Sequence, residues 1–351
     1  MKTAYFCMNE NRPDPDVIGR AGRIVADGGL VAFPTETVYG LGADALNREA
    51  AKKIYAAKGR PSDNPLIVHI AKWEDLSRIA EVIPEEAKVL ADRFWPGPLT
   101  MIFSKKKIVP EETTGGLSTV AVRMPDNRIA LALIEAAGGF IAAPSANLSG
   151  RPSPTCGAHV KEDMDGRIDV ILDGGECGIG LESTIVDLTG DTPVILRPGY
   201  ISISQIREAV GDAQYDPAIL KKADPALRPK APGMKYRHYA PKGDLTVISG
   251  ERDAVVKRIR EKIAEDAGRS RIGVIASDET ASCYSADLVL SIGSMADEEA
   301  IARHLYAVLR KCDEQQIDLI YSESFEGDGV RAAIMNRLVK AAGYKTEEVS
   351  G

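Results

Sequence analysis

Two short polar segments flank one predicted helix near the beginning of this 351-residue sequence. Residues 33–42 (FPTETVYGLG) contain hydroxyls, a carboxylate and two glycines, and residues 58–65 (KGRPSDNP) contain two cations and an amide. Hydroxyls and amides orient small polar ligands, cations stabilise phosphate charge, and glycines let the backbone approach a ligand closely. The two segments therefore predict a site that holds an anionic nucleotide beside a small polar substrate.

The cations Lys58 and Arg60 have two interpretations, because both follow the predicted helix directly. As an isolated pair they would neutralise the negative end of that helix. Asn64 and His69 follow at close spacing, however, and a guanidinium can bind two phosphate oxygens at once. The sequence contains no Gly-x-x-x-x-Gly-Lys-Ser/Thr motif, so any ATP must be held by another device, and loop cations such as these can do so.

Further polar side chains follow predicted strands or rigid turns: Arg123, Ser145, Ser153, Ser183 and Arg197. Each alone has an ordinary explanation, such as a salt bridge for Arg123, but together they indicate ligand-binding loops. His69 lies in an apolar strand and is equally compatible with a core histidine. Neither a Ser/His/Asp order nor the spacing of metal ligands is present, so we expect neither a covalent nucleophile nor a protein-bound metal.

The elements that must position these residues are predicted from apolar spacing. Helices over 16–27, 49–58 and 129–137 are interspersed with strands over 30–33, 65–70, 99–104, 119–124 and 141–143, which indicates a mixed α+β domain. After a proline-rich stretch, four strand candidates alternate with helices, which is typical of a small parallel α/β sheet. We therefore predict a first domain over residues 1–211, a linker over 212–243 and a second domain over 244–351.

The overall composition argues against several classes of protein. A net charge of -7 disfavours sequence-independent nucleic-acid binding, which requires many cations. The five cysteines are odd in number and include no Cys-x-x-Cys pair, so we interpret them as reduced thiols of a cytoplasmic protein. No apolar region follows Met1, and no run of about 18 apolar residues occurs, so we expect neither a signal peptide nor a membrane span.

Seven ordered motifs together resemble the YrdC-like family of threonylcarbamoyl-AMP synthases, in its long two-domain form. They are residues 33–42, 58–69, 94–100, 120–125, 142–155, 182–186 and 196–199, and residues 231–241 resemble the family's linker. The resemblance implies an α+β YrdC-like first domain, with a twisted mixed sheet and helices, and a small Rossmann-like α/β second domain. It also implies that L-threonine, bicarbonate and ATP give threonylcarbamoyl-AMP and pyrophosphate, for the modification of tRNA.

The resemblance assigns site residues to two substrates. Those assigned to L-threonine are Thr35, His69, Arg123, Ala143 and Ser183, with Arg123 pairing with the carboxylate. Those assigned to ATP are Lys58, Arg60, Asn64, Thr119, Ser145, Ser153 and Arg197, with Tyr236 and His238 of the linker as a lid. Catalysis is then expected from positioning and electrostatics, with no catalytic side chain of its own and with Mg²⁺ accompanying ATP. A separate tRNA threonylcarbamoyl transferase complex is the expected downstream partner, with at most weak contact to tRNA.

Two alternatives stay open at this point. One is an RNA-binding module of the same fold without adenylating activity, which the net charge of -7 disfavours. The other is a carbamoyl transferase of the hydrogenase-maturation type, which shares the fold but carries zinc-finger cysteines. No cysteines are spaced in that way in this sequence.

Overall fold

The computed structural model describes residues 2–220, 229–232 and 238–350. These residues form two compact units. The N-terminal unit is drawn from residues 1–149 and 153–236, and the C-terminal unit from residues 150–152 and 237–351. The domain boundaries at 211 and 243 stay predictions.

The N-terminal unit combines strands and helices as the sequence predicts. Its strands are β1 Ala4–Cys7, β2 Val31–Phe33, β3 Gly40–Asp44, β4 Ile67–His69, β5 Leu99–Ser104, β6 Thr119–Arg123, β7 Ile141–Ala143, β8 Val170–Asp173, β9 Thr184–Asp187, β10 Val194–Arg197 and β11 Gln214–Tyr215. Its helices are α1 Pro15–Ala26, α2 Arg48–Lys58, α3 Leu76–Ile79, α4 Glu85–Phe94, α5 Arg128–Ala136, α6 Gly157–Met164 and α7 Ile203–Val210.

These strands form one mixed sheet in the order β1-β8-β2-β3-β7-β4-β6-β5-β9-β10-β11. Successive side chains of a strand point to opposite faces, so each face of this sheet has its own core. Helices α2, α4 and α7 pack on one face, against side chains such as Val68 and Val122. Helices α1 and α5 pack on the other, against side chains such as Phe33 and Ile141.

Described helices do not pack along the whole width of the second face. At β4, β5, β6 and β9 its apolar residues are Ile67, Ile102, Ala121 and Ile185, which cluster with Ala231 of the predicted linker. No residue of a described helix belongs to this cluster. We call this part of the sheet, against which no described helix packs, the open face.

The C-terminal unit is a parallel α/β sheet, as the sequence predicts. Its strands are β12 Asp244–Gly250, β13 Ile272–Ala276, β14 Leu288–Ser291, β15 Leu319–Glu323 and β16 Thr346–Val349, and its helices are α8 Arg252–Asp266, α9 Glu298–Glu314 and α10 Val330–Ala341. The strand order is β14-β13-β15-β12-β16, with every pairing parallel. The fourth strand along the chain thus lies between the first and second, whereas the usual Rossmann order keeps those two adjacent.

The two glycines of the first motif have a different role from the one predicted. Gly40 and Gly42 lie in strand β3, which pairs with β2 and β7, and not in a ligand-binding loop. A Cβ atom on Gly42 would lie 2.7 Å from Ile141 Cγ2 and 2.8 Å from Phe33 Cε1. This glycine is therefore required by strand packing.

The beginning of the predicted linker is also regular structure. Strand β11 pairs in parallel with β10, and a 3-10 turn follows at Pro217–Leu220. Within the described part of the chain, no helix is both long and apolar enough to cross a bilayer.

Candidate functional site

Strand register brings several predicted site residues onto the open face. His69 of β4 pairs with Arg123 of β6, and Thr100 of β5 pairs with Arg123 from the other side. Paired residues point to the same face, as do residues two apart in one strand. Thr119 therefore lies on the open face with Arg123, and Ala143 lies there through its pairing with Ile67.

Arg123 is the central charge of this face and is 4% exposed. Its Nη1 donates to Thr37 Oγ1 at 2.8 Å, and its Nε donates to the carbonyl of Gly97 at 3.3 Å. Its Nη2 lies 2.7 Å from Glu36 Oε1, as an ion pair without hydrogen-bond geometry. The salt bridge considered for Arg123 from the sequence is thus present, and its partner is a carboxylate of the first motif.

A turn built by Thr35 presents this carboxylate. The Thr35 hydroxyl donates to the carbonyl of Val38 at 2.6 Å and accepts from the backbone N–H groups of Thr37 and Val38, each at 3.2 Å. It also lies 2.9 Å from Thr37 Oγ1. Threonine hydroxyls stabilise turns in this way. Thr35 therefore shapes the loop that carries Glu36 and Thr37 toward Arg123.

His69 is a buried neighbour of this group, with 4% exposure. Its Nδ1 lies 3.1 Å from the carbonyl of Ile67, and its ring meets Phe33 edge-on with 5.9 Å between centroids. Burial, and then the charge of Arg123, lower the pKa of His69 to about 3. His69 is therefore neutral at physiological pH and can donate or accept a hydrogen bond without adding charge.

A second hydroxyl and arginine group continues the face across β5, β9 and β10. Ser183 Oγ lies 2.7 Å from Thr100 Oγ1. Arg197 is 5% exposed and donates from Nη2 to Ser183 Oγ and from Nε to the Ser183 carbonyl, both at 3.1 Å. Its Nη1 contacts the carbonyl of Pro232 at 3.5 Å, so the described part of the linker touches this group.

A third group gathers around Lys58, the last residue of α2. The helix ends there because Gly59 adopts a left-handed conformation with φ 62°, and Lys58 is 3% exposed. Its Nζ donates to the carbonyls of Ser145 and Asn147. The Ser145 hydroxyl in turn donates to Asn147 Oδ1 at 2.5 Å. Two predicted ATP residues from distant parts of the sequence therefore lie together.

Arg60 and Asn64 shape the loop before β4. Arg60 Nη2 donates to the carbonyls of Asn64 and Pro65, at 3.2 and 2.9 Å. Asn64 is 1% exposed, and its side-chain oxygen has no hydrogen-bond partner among the described residues. An orphaned buried acceptor of this kind is suited to a ligand donor, since buried polar groups are normally paired.

Ser153 contacts Glu182, the residue directly before Ser183. Its hydroxyl is fully buried and donates to Glu182 Oε1 at 2.6 Å. Of the last two predicted residues, Tyr236 lies outside the described residues, and His238 belongs to the C-terminal unit.

The predicted residues fall toward two ends of the open face. Strand β4 is three residues long, so its ends are about 7 Å apart. His69 and Arg123 mark one end. Ile67 marks the other, together with its partner Ala143 and the Asn64–Pro65 loop that precedes β4. A small ligand at the arginine end would therefore lie close to a ligand held at the Lys58 end.

Sequence reasoning missed five polar partners in these groups: Glu36, Thr37, Thr100, Asn147 and Glu182. Glu36 and Thr37 lie inside the first motif, so the sequence already indicated that they are near the site. Thr100 ends the motif over residues 94–100, but only the register of β5 against β6 brings it beside Arg123.

The open face thus has the buried guanidinium of Arg123 at one end and Ala143 at the other, and the chain after Ala143 leads to Ser145, whose carbonyl Lys58 contacts. This arrangement fits an enzyme class in which a nucleotide activates a small acid, because fixed charges can stabilise both substrates and the charge of the transition state. The described groups that carry it are hydrogen-bonding and charged side chains, with no serine and histidine pair among the contacts above.

Comparisons with known proteins agree with this class. A family model described as "Telomere recombination" matches residues 23–199, and one described as "Threonylcarbamoyl-AMP synthase, C-terminal domain" matches residues 201–343. The threonylcarbamoyl-AMP synthase of Pyrococcus abyssi is 52% identical over 94% of this chain and 95% of its own. That of Bacillus subtilis is 51% identical over 94% of each chain.

A solved structure is similar over the whole length. Pyrococcus abyssi Sua5 in complex with L-threonine has a TM-score of 0.94 and 49% identity, over 99% of this chain and 100% of its own. The chain therefore belongs to the threonylcarbamoyl-AMP synthase family, and has both its YrdC-like N-terminal domain and its Sua5 C-terminal domain.

Proposed function

We propose that this protein synthesises threonylcarbamoyl-AMP from L-threonine, bicarbonate and ATP and releases pyrophosphate. The observation that carries the proposal is the buried guanidinium of Arg123 on the open face, paired in register with neutral His69. A buried guanidinium at this position supports a role in binding the carboxylate of a substrate. The names of the relatives and the L-threonine held by the Pyrococcus abyssi protein support the same substrates.

The proposed site divides between the two substrates as the resemblance implies. L-threonine lies toward Thr35, His69, Arg123, Ala143 and Ser183, and ATP lies toward the remaining residues. These are Lys58, Arg60, Asn64, Thr119, Ser145, Ser153 and Arg197, with Tyr236 and His238 as further candidates. Arg123 pairs with the carboxylate of the amino acid, and Lys58 and Arg60 turn toward the phosphates from the carbonyls that they contact in this structure.

Such chemistry depends on orientation and on the exclusion of water. The amine attacks a carbon of the bicarbonate/CO₂ pool, and the carbamate oxygen must then reach the α-phosphorus before the carbamate decomposes. Holding the reactants together can lower the activation free energy by on the order of 7–11 kcal/mol in favourable cases. Ala231 packs on the apolar residues of the open face, which places part of the linker where it can exclude water.

Several further features belong to the same proposal. Mg²⁺ accompanies ATP, bound by phosphate oxygens and water; among the described residues no three metal-ligating side chains come together. The protein acts in the cytoplasm and passes its product to a tRNA-modifying transferase complex, with weak tRNA contact at most. The second domain is Rossmann-like in its parallel α/β construction, in spite of its different strand order.

The alternative of an RNA-binding module without adenylating activity is less well supported. Relatives that match along nearly the whole chain are named as synthases, and the net charge is -7. The rival carbamoyl transferase finds no support in the cysteines, since no two of the five have the spacing of zinc-finger ligands.

Pyrophosphate release from ATP tests the proposal. Release should require L-threonine and bicarbonate together, and should fall to background when either is omitted. Release that ignores either substrate would contradict the proposed function. Saturable tRNA binding without any ATP consumption would favour the RNA-binding module.

A further inference from the structure

The Glu36 carboxylate has no hydrogen-bond partner, although it is buried. Its side chain is 13% exposed, and neither Oε1 nor Oε2 has a hydrogen-bond partner among the described residues. The contact that it makes is the 2.7 Å ion pair with Arg123 Nη2. Buried acceptors are nearly always satisfied, so a carboxylate whose Oε1 has only this ion pair and whose Oε2 has no partner indicates a ligand that brings N–H donors.

The pair formed by Arg123 and Glu36 is complementary to an α-amino acid. Such a substrate carries its carboxylate and its ammonium group on one carbon atom, so the two charges are neighbours. A guanidinium and a carboxylate in direct contact present the opposite charges at a matching separation. Arg123 can take the substrate carboxylate while Glu36 takes the ammonium, and an ammonium group supplies three donors for the vacant oxygens.

We propose that Glu36 binds the amino group of the amino-acid substrate and accepts the proton that this group releases as the carbamate forms. The inference rests on the proposed function and adds a catalytic residue to it. The first motif then contains a proton acceptor as well as positioning groups.

The proton transfer balances with the substrates already named. Ammonium and bicarbonate give carbamate, water and one proton. The N–C bond forms and one C–O bond of bicarbonate breaks, so that its oxygen leaves as water. Of the two protons lost from nitrogen, one leaves in this water and the other passes to the Glu36 carboxylate. Without an acceptor, that second proton must be released into a site from which water is excluded.

The charged and titratable groups around Glu36 come from three other segments. Arg123 lies on β6, and Asp126 follows that strand; burial and then the charge of Glu36 raise the pKa of Asp126. Cys177 lies in the loop after β8, and burial and then Glu36 raise the pKa of its thiol. His69 on β4 faces Arg123 and is neutral. When the substrate carboxylate pairs with Arg123, it shares the positive charge of the guanidinium with Glu36. Glu36 then faces the ammonium group of the substrate directly.

Ligand binding to the full-length protein separates this role from a structural one. Calorimetry compares L-threonine with 2,3-dihydroxybutanoate, in which a hydroxyl replaces the amine. The wild type should favour L-threonine by about 10-fold or more, as expected for a charged hydrogen bond. In Glu36→Gln this preference should disappear, while dihydroxybutanoate binds at least as well as to the wild type because Arg123 has lost a competing carboxylate. Asp126→Asn, a nearby exposed carboxylate, is the matched control and should keep the preference.

Turnover supplies the second readout. In Glu36→Gln, kcat should fall by at least about 10²-fold and should recover as the pH rises, because solution base replaces the missing acceptor. Glu36→Asp keeps the charge with a shorter reach, so it should retain the preference for L-threonine with an intermediate kcat. This variant keeps the proposal testable if Glu36→Gln does not fold.

Two results would overturn the role of Glu36. One is an unchanged preference for L-threonine in Glu36→Gln with normal turnover, and the other is an equal loss of affinity for both ligands, which a purely structural ion pair predicts. The proposed function is judged separately by the wild type. If wild-type pyrophosphate release ignores L-threonine, both proposals fail. If it requires L-threonine and Glu36→Gln behaves as the wild type, only the proposal for Glu36 fails.

Discussion

Buried charge distinguishes the residues of the open face. Arg123 is 4% exposed, and burying a charge is costly unless it is paired and hydrogen-bonded. Glu36, Thr37 and the Gly97 carbonyl together meet that requirement. The guanidinium is thus oriented before any substrate arrives, which lowers the cost of organising the site during the reaction.

We expect Arg123→Lys to raise the KM for L-threonine by at least about 10-fold, because a lysine cannot contact Thr37 and a carboxylate in the geometry of the guanidinium fork. Its positive charge should still compensate Glu36, so the variant should fold. Steady-state pyrophosphate release measures the effect. Arg128→Lys, on the exposed surface of α5, is the control and should behave as the wild type. Equal KM values for the two variants would remove Arg123 from the substrate site.

The neutral state of His69 makes stability depend on pH. Its pKa is about 3 in the folded protein against the ordinary 6.5 of an exposed histidine, so below pH 6.5 the unfolded chain binds a proton that the folded chain does not. Stability is therefore lost as the pH falls from 6.5 toward 3. Between pH 7 and pH 5 the wild type should lose about 2 kcal/mol more unfolding free energy than His69→Asn. Urea denaturation at both pH values checks this, and parallel losses would contradict a neutral His69.

Part of the site is predictable from residue types and part is not. Cations and hydroxyls at the ends of helices and strands make Lys58, Arg123 and Ser183 candidates for the site, because polar residues on connecting segments often bind ligands. The contact of Arg123 with Glu36 depends on the fold of a turn, and the position of Thr100 beside Arg123 depends on register. Neither the turn nor the register has a local sequence signal.

At the scale of elements, strand β3 shows why the first motif contains glycines. Its residues 40–44 pair with β2 on one side and β7 on the other. The sequence suggested a loop here, since glycine disfavours strands. The segment is nevertheless a strand, and Gly42 is required in it because no side chain fits between Phe33 and Ile141.

Gly42→Ala should destabilise the protein by about 1–3 kcal/mol, since an added methyl group must displace Phe33 and Ile141. Urea denaturation gives the difference in unfolding free energy. Gly190→Ala is the matched control, because a Cβ atom there meets nothing within 4 Å. A Gly42→Ala variant with unchanged stability and weakened ATP binding would restore the ligand role that the sequence suggested.

At the scale of the whole molecule, the chain forms two units whose cores are largely predictable. Most helix and strand positions in the C-terminal unit are predictable, because the inner strands of a parallel sheet are apolar runs that alternate with helical patterns. The strand order of this unit cannot be predicted from the sequence. The connection between two parallel strands can cross one neighbouring strand or two without any change in the local apolar pattern. Strand β16 has alternating burial at a sheet edge and carries no such apolar run, so it was missed.

A chain ending at Lys230 should fold but work poorly. The cores of the N-terminal unit use residues up to Ile219, whereas Ala231 and Pro232 contact the open face. We expect cooperative unfolding with pyrophosphate release at least about 10-fold below that of the full chain, because water reaches the site. A chain ending at Gly243 keeps the linker and should be more active than the shorter one. Full activity in the shorter chain would show the linker to be passive.

The central claim is that one site joins L-threonine, bicarbonate and ATP, and the most direct measurement detects the product itself. The protein is incubated with ATP, L-threonine and ¹³C-bicarbonate, and the products are analysed by mass spectrometry. We predict threonylcarbamoyl-AMP with the label in its carbamoyl carbon, and none when any substrate is omitted. Pyrophosphate formed without labelled threonylcarbamoyl-AMP, or an adenylate lacking the label, would contradict the account.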